Sequence, residues 1–285
     1  MKIIRAEHLG MCFGVRDAIS MARHEAATRP LTVLGELVHN ESVLDDLRKR
    51  GVRFEDNPLR VGTDRAMITA HGTSERAKDR ARKAGLALRN ATCPLVQYAH
   101  VELRGLVRDG WHPVIVGKRG HVEVNGLSED FEECDIILSE SDVMALPERK
   151  RFGVVAQTTQ PIARGHTLVA LLRKRFPEAA VRFVDTVCQP TKQRQDAALG
   201  LARRSDAVIV IGGVNSNNTR ELVRSCSREC AHVYQVQGPA DISEEWLEGA
   251  QVMGLTAGTS TPDELIDAVE SRLREIAVQP VVQAA

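Results

Sequence analysis

Three stretches of this chain repeat one order of features: a short β-rich run, a cysteine, a helical run, a second strand and a polar loop. They are IIRAEHLGMC followed by LTVLGELVHN, LALRNATC followed by HPVIVGKRGH, and VRFVDTVC followed by AVIVIGGVNS. The polar loops fall at matching distances: His39 lies 27 residues after Cys12, His121 28 after Cys93 and Ser216 28 after Cys188. A further strand ending in a small polar loop recurs as ITAHGTSER, VVAQTTQPI and GLTAGTSTPDE. Self-similarity at a fixed spacing marks repeated structural units. Strands alternating with amphipathic helices such as SERAKDRARKAG and TPDELIDAVESRLREI read as βαβ units with parallel or mixed sheets. The expected fold is α/β, with three pseudo-symmetric α/β lobes in a trefoil-like arrangement around a shared centre. The division is 1–92 with the N-terminal strand and Cys12, 93–187 with Cys93 and 188–280 with Cys188, leaving 281–285 as a disordered tail.

Charge and hydropathy narrow the function classes. Lys+Arg and Asp+Glu both number 38, so the formal net charge is zero. A general nucleic-acid binder carries a basic surplus, so nucleic acid is not an expected partner. No run is long and apolar enough for a bilayer span, and the N-terminus MKIIRAEHLG lacks the apolar stretch of a signal peptide. The expectation is a cytoplasmic protein without a membrane partner. In that compartment six cysteines read as reduced thiols or metal ligands rather than a disulfide framework.

One isolated cysteine is best read as a packed apolar side chain. Three at repeat-equivalent places ask for a shared role. Structural zinc takes four closed ligands, usually in close pairs, and Cys12, Cys93 and Cys188 are far apart in sequence. Three converging thiolates suit an iron–sulfur cluster, and a cubane held by only three leaves one iron open to substrate. Cys134 opens the apolar run CDIILSE and reads as packing; Cys226 and Cys230, four apart, fit one helix face and also read as structural.

Open α/β sheets bind ligands at the carboxyl ends of their strands. The loops expected there hold His39, His71, His121, Ser216, Asn217, Asn218 and Ser260. Any one of these loops reads as a helix cap. Taken together, their imidazole, hydroxyl and amide donors before helices suit a diphosphate. Glu123, two residues beyond His121, is the sharpest acid candidate, able to relay protons to a reacting group. No GxGxxG with a following acid and no GxxxxGK[ST] is present, so a built-in nucleotide site has no support.

The motifs GMCFGVRDAIS, VHN, AHGTS, ATCPLV, GHVEV, AQTT, DTVCQPTKQRQDA, GGVNSNNT and TAGTSTPD run over nearly the whole chain. Together they resemble the IspH/LytB family of 4-hydroxy-3-methylbut-2-enyl diphosphate reductases. The resemblance implies a [4Fe–4S] cluster on Cys12, Cys93 and Cys188. It implies reductive loss of an allylic hydroxyl, giving isopentenyl and dimethylallyl diphosphates in the last step of the methylerythritol phosphate pathway. It also implies protons from Glu123, a hydroxyl end held by Thr158, and a diphosphate cradled by His39, His71, His121, Ser216, Asn218 and Ser260. Reduced ferredoxin or flavodoxin would supply electrons. Asn217, Val122, Lys118, Asn90 and Tyr98 depart from the family pattern, where Ser, Pro, His, Asp and Lys are usual. A paralogue acting on another substrate and a cluster-bearing sensor without turnover are the competing readings.

Overall fold

The protein is described by a computed structural model covering residues 1–278. Its strands are β1 (Lys2–Arg5), β2 (Thr32–Leu34), β3 (Arg53–Phe54), β4 (Arg65–Ile68), β5 (Ala87–Asn90), β6 (His112–Val116), β7 (Asp135–Ile137), β8 (Arg151–Ala156), β9 (Ala180–Phe183), β10 (Ala207–Ile211), β11 (His232–Val236) and β12 (Val252–Ala257). The α-helices are α1 (Phe13–Thr28), α2 (Glu41–Lys49), α3 (Glu75–Lys83), α4 (Pro94–Arg108), α5 (Val122–Ser128), α6 (Glu140–Ala145), α7 (Ile162–Arg175), α8 (Gln189–Ala202), α9 (Asn217–Cys226) and α10 (Asp263–Val278). The region 281–285, read from sequence as a tail, lies outside the described residues.

Three four-stranded sheets result, ordered β3-β2-β4-β5, β7-β6-β8-β9 and β11-β10-β12-β1. Every pairing is parallel. Parallel sheets are covered on both faces, so their strands are apolar throughout. In β10, Ala207, Ile209 and Ile211 join one cluster with α10 residues Ile266, Val269 and Leu273, whereas Val208 and Val210 join another with Leu201 of α8 and Leu222 of α9. In the β6–β9 sheet, Val114, Val116, Phe152 and Val154 pack with Leu168 and Leu172 of α7, while Ile115 and Val155 pack with Leu103 of α4 and Val124 of α5. Period-two alternation thus feeds two cores in each of these two sheets.

Each sheet changes direction between its two middle strands: β2/β4, β6/β8 and β10/β12. Such switch points leave a crevice outside the carboxyl ends, where α/β sheets bind ligands. The loops of interest come directly after those middle strands. The edge strands β5, β9 and β1 lead to Cys93, Cys188 and Cys12.

One placement differs from the sequence division. The N-terminal strand, expected in a first lobe at 1–92, pairs with β12, with Lys2 beside Val252 and Arg5 beside Leu255. The reason is topological. β5 and β9 reach their places through the crossover helices α3 and α7, so each cysteine-bearing strand closes the sheet before it. β1 takes the equivalent edge beside β12. The last sheet is therefore built from both chain ends.

The chain divides into two compact units. One comprises Met1–Cys12, His39–Glu41 and the chain from Gln189 on; the other comprises Phe13–Val38 and Ser42–Cys188.

Candidate active site

In the unit containing the β2–β5 and β6–β9 sheets, the acid candidate is enclosed. Glu123 sits in the first turn of α5 and is 1% exposed. The Thr158 N–H donates to Glu123 Oε1 at 2.6 Å, and the Thr158 hydroxyl lies 3.1 Å from Oε2. Burial raises the carboxyl to about 7, against the lowering effect of the two Thr158 bonds. A group titrating near neutrality is matched to proton transfer.

His121 caps α5, its Nδ1 accepting the Glu123 N–H at 3.2 Å. With Nδ1 as acceptor, a neutral imidazole carries its proton on Nε2 and can donate there. The His71 ring meets the His121 ring edge-on, centroids 5.8 Å apart. Gly126 makes this approach possible: a Cβ there would lie 3.0 Å from the Thr73 backbone. Ser74 and Asp130 hold the two elements together. The Ser74 hydroxyl donates to Glu129 at 2.6 Å, and Asp130 accepts the Glu75 and Arg76 N–H groups at the start of α3. Hence His71, His121, Glu123 and Thr158, far apart in sequence, stand together in this unit.

The other unit collects Cys12, His39, Ser216, Asn217, Asn218 and Ser260. Ser216 caps α9 by accepting the Thr219 N–H. Asn218 Oδ1 accepts the Thr259 N–H at 3.0 Å, while its buried Nδ2 has no hydrogen-bond partner among the described residues. A buried amide donor left unpaired costs stability. Ser260 Oγ donates to the His39 carbonyl at 3.1 Å. Glycine is required around this cradle, because a Cβ at Gly213 would meet the His39 carbonyl at 2.6 Å. Asn217 is buried at the first position of α9.

The three repeat-equivalent cysteines occupy equivalent local geometry. Cys12, Cys93 and Cys188 each immediately precede a helix: α1, α4 and α8. Each N–H bonds to a carbonyl in the loop after the adjacent middle strand: Cys12 to Thr259 at 3.1 Å, Cys93 to Ala70 at 3.0 Å and Cys188 to Thr158 at 3.1 Å. All three are partly exposed and none forms a disulfide. A helix start favours negative charge beside it, which suits a thiolate ligand. Gly14 adds a packing constraint, since a Cβ there would fall 2.4 Å from Cys93 Sγ. Among the described residues no three His, Cys, Asp or Glu side chains close around a single metal ion. The donor set, three thiolates with backbone-anchored N–H groups, fits an iron–sulfur cluster.

The remaining cysteines differ. Cys226 is buried in a hydrophobic core, its thiol raised to about 12 by burial, with Sγ 3.7 Å from the Ala198 carbonyl. Cys230 packs in the same core but lies beyond the end of α9. The helix stops at Cys226, and the turn beyond it, in which the Cys230 N–H donates to the Cys226 carbonyl at 2.9 Å, keeps both cysteines on the same core. Burial also raises Cys134 to about 12.

Three departures from the family pattern are accommodated. Asn90 Oδ1 accepts from both the N–H and the hydroxyl of Thr92, organising the approach to Cys93 as a carboxylate would. Lys118 contributes its backbone N–H, donated to Gln157 Oε1, which any residue but proline could supply. Tyr98 lies 45% exposed on α4.

Sequence reasoning passed over the backbone anchors at Thr259 and Ala70, the buried Gln157, and Gly14. The motifs contain all four, but a buried amide or a close approach leaves no periodic signal.

Fold and loops thus define a three-lobed parallel α/β protein with a donor-lined cradle and a buried carboxyl suited to proton transfer. A LytB protein family profile matches residues 3–274, and the chain belongs to that family. It is 37% identical over 280 residues to the 4-hydroxy-3-methylbut-2-enyl diphosphate reductase of Geobacter metallireducens, covering 97% of this chain and 98% of that one. It is 36% identical over 287 residues to the enzyme of that name from Acinetobacter baylyi, covering 96% and 90%. Among solved structures, the E-1-hydroxy-2-methyl-but-2-enyl-4-diphosphate reductase of Plasmodium falciparum matches with a TM-score of 0.90 at 25% identity, covering 98% of this chain and 89% of that one. A structure titled as the terminal enzyme of the non-mevalonate pathway matches with a TM-score of 0.68 at 32% identity, covering 96% and 99%.

Proposed function

We propose that this chain reduces 4-hydroxy-3-methylbut-2-enyl diphosphate, taking two electrons and two protons to release water and form isopentenyl and dimethylallyl diphosphates. The observation that carries the reading is the enclosed Glu123–Thr158 pair in a chain of this family. Cys12, Cys93 and Cys188 would hold a [4Fe–4S] cluster, which supplies the electrons when bound. Reduced ferredoxin or flavodoxin in the cytoplasm would deliver them; among the described residues no helix is long and apolar enough to cross a membrane.

Hydroxide is a poor leaving group until it is protonated. Glu123, raised by burial to about 7, retains its proton through much of the neutral range. Thr158 extends the reach of that proton. With the carboxyl protonated, the 3.1 Å contact can run from Oε2–H to the Thr158 hydroxyl, leaving that hydroxyl's own proton for the substrate oxygen. The exclusion of water strengthens each of these bonds. His39, His71, His121, Ser216, Asn217, Asn218 and Ser260 would bind the diphosphate. The Asn218 Nδ2 supports this assignment most directly, as a buried donor awaiting an acceptor.

Complementation tests the reading. The gene should restore growth to a bacterium lacking its own last enzyme of this pathway, and the Glu123→Gln gene should not. Failure of the wild-type gene, with iron-loaded protein present in the cells, would favour a paralogue or a sensor.

A further inference from the structure

The geometry points to Gln157 as the positioning residue that sets the Glu123–Thr158 pair, an inference that rests on reading Glu123 as the proton source. Gln157 is fully buried at the end of β8, beside Thr158. Its side chain bonds to three protein partners. Oε1 accepts the Lys118 N–H at 3.0 Å and the Gln160 amide at 3.0 Å, and Nε2 donates to the Thr159 hydroxyl at 3.2 Å. Gln160 in turn is held by Arg164 Nη1 at 2.5 Å. Gln157 therefore serves the protein's own loops, and its role is geometric.

The Lys118 bond matters because the chain beyond Lys118 leads straight to the acid. The turn from Lys118 closes with the His121 N–H on the Lys118 carbonyl, His121 then caps α5, and α5 carries Glu123. Glu123 returns to the β8 loop through Thr158. One amide thus closes a ring: Gln157 side chain, Lys118 turn, His121 cap, Glu123 carboxyl, Thr158, and back to Gln157. Gly117 packs into it, since a Cβ there would lie 2.7 Å from Val124 and 3.1 Å from the Gln157 Cβ. Without the amide, the Lys118 N–H loses its acceptor, and the two loops lose a buried side-chain tie. Loosened loops admit water to the carboxyl.

The charged and titratable groups around Glu123 do not replace this control. Lys118, Arg119 and His121 on its own loop, Glu129 and Asp130 just beyond α5, His71 against the His121 ring, and His100 and Arg104 on the packed helix α4 are none of them among the causes of its shift. Burial, which raises Glu123, outweighs the two Thr158 bonds, which lower it, so opening the loops to water should bring the midpoint down.

The test is infrared titration of the anaerobically prepared, iron-loaded protein, tracking the protonated-carboxyl band that is missing in Glu123→Gln. In the wild type the band should titrate near 7. In Gln157→Met it should titrate at least one pH unit lower, with iron content and KM held and kcat at pH 7.5 down about tenfold or more. An unmoved midpoint overturns the proposal, as does a rise in KM with kcat unchanged, which would mark a substrate contact. If Gln157→Met loses its iron, Gln157→Glu decides. Its carboxylate keeps both accepted bonds and sets a like charge near Glu123, so the midpoint should rise by at least one unit; an unmoved midpoint there overturns the proposal. Should Glu123→Gln retain turnover, the proton-source reading fails, while the infrared midpoint still decides whether Gln157 positions the carboxyl.

Discussion

Replacing Glu123 by Gln removes one titratable proton and little else. The Gln carbonyl can accept the Thr158 N–H in place of Oε1, and its amide can donate to the Thr158 hydroxyl across the 3.1 Å contact. Turnover should fall on the order of 10²-fold or more, the usual worth of a positioned general acid. Stability should move the other way. The carboxyl titrates at about 7 when folded, against an ordinary 4.5. Between these values the folded chain binds more protons than the unfolded one, so wild-type stability falls as pH rises through that window. The full effect is about 3 kcal/mol. Gln does not titrate, so the variant escapes the loss. Relative to wild type it should gain roughly 5 °C in melting temperature between pH 5 and pH 8, from the entropy of unfolding a chain this long. Melting of cluster-loaded proteins at the two pH values, with steady-state reduction by a chemical electron donor, measures both effects. Near-normal turnover in a variant with confirmed iron would refute the role. Equal melting shifts for the two proteins would refute the buried, neutral carboxyl.

Wild-type turnover should decline as pH rises past about 7, where Glu123 loses its proton, and a flat profile from pH 6 to pH 9 would count against it. Serine at Cys12, Cys93 or Cys188 should abolish the cluster absorbance of anaerobically prepared protein, whereas Cys226→Ala should leave iron unchanged and cost only packing, measured by metal analysis and melting. Gly14→Ala places a methyl group 2.4 Å from Cys93 Sγ; it should lose most of the iron in a chain that still folds by circular dichroism. Asn218→Ala or His121→Ala should weaken diphosphate binding by roughly tenfold to a hundredfold, about 1.5–3 kcal/mol for a hydrogen bond to a charged group, and unchanged calorimetric affinity in both would remove the cradle.

Much of the architecture was legible because it rests on local pattern. Apolar runs such as HPVIV and AVIVI announce strands, and the recurring cysteine announces the repeat. The place of β1 was not legible, since its pairing with β12 joins strands about 250 residues apart, Lys2 beside Val252, and leaves no local pattern. The grouping of His39 with the Ser260 loop is equally non-local. At the site, the residue types disclosed the chemistry but not their bonding. That Glu123 is enclosed by Thr158, and that the Gln157 amide bonds the Lys118 turn and its own loop, depends on burial and on distances across the fold. That α9 ends at Cys226, with Cys230 carried by the turn beyond it, is likewise not given by the spacing of the two cysteines.

The central claim is tested most directly by single-turnover reduction under anaerobic conditions. Protein with close to four irons per chain is mixed with dithionite and 4-hydroxy-3-methylbut-2-enyl diphosphate, and the products are resolved by chromatography. The expected result is isopentenyl and dimethylallyl diphosphates, formed by wild type and nearly absent with Glu123→Gln. Iron-loaded, reduced wild-type protein that binds the substrate and returns it unchanged would contradict the account.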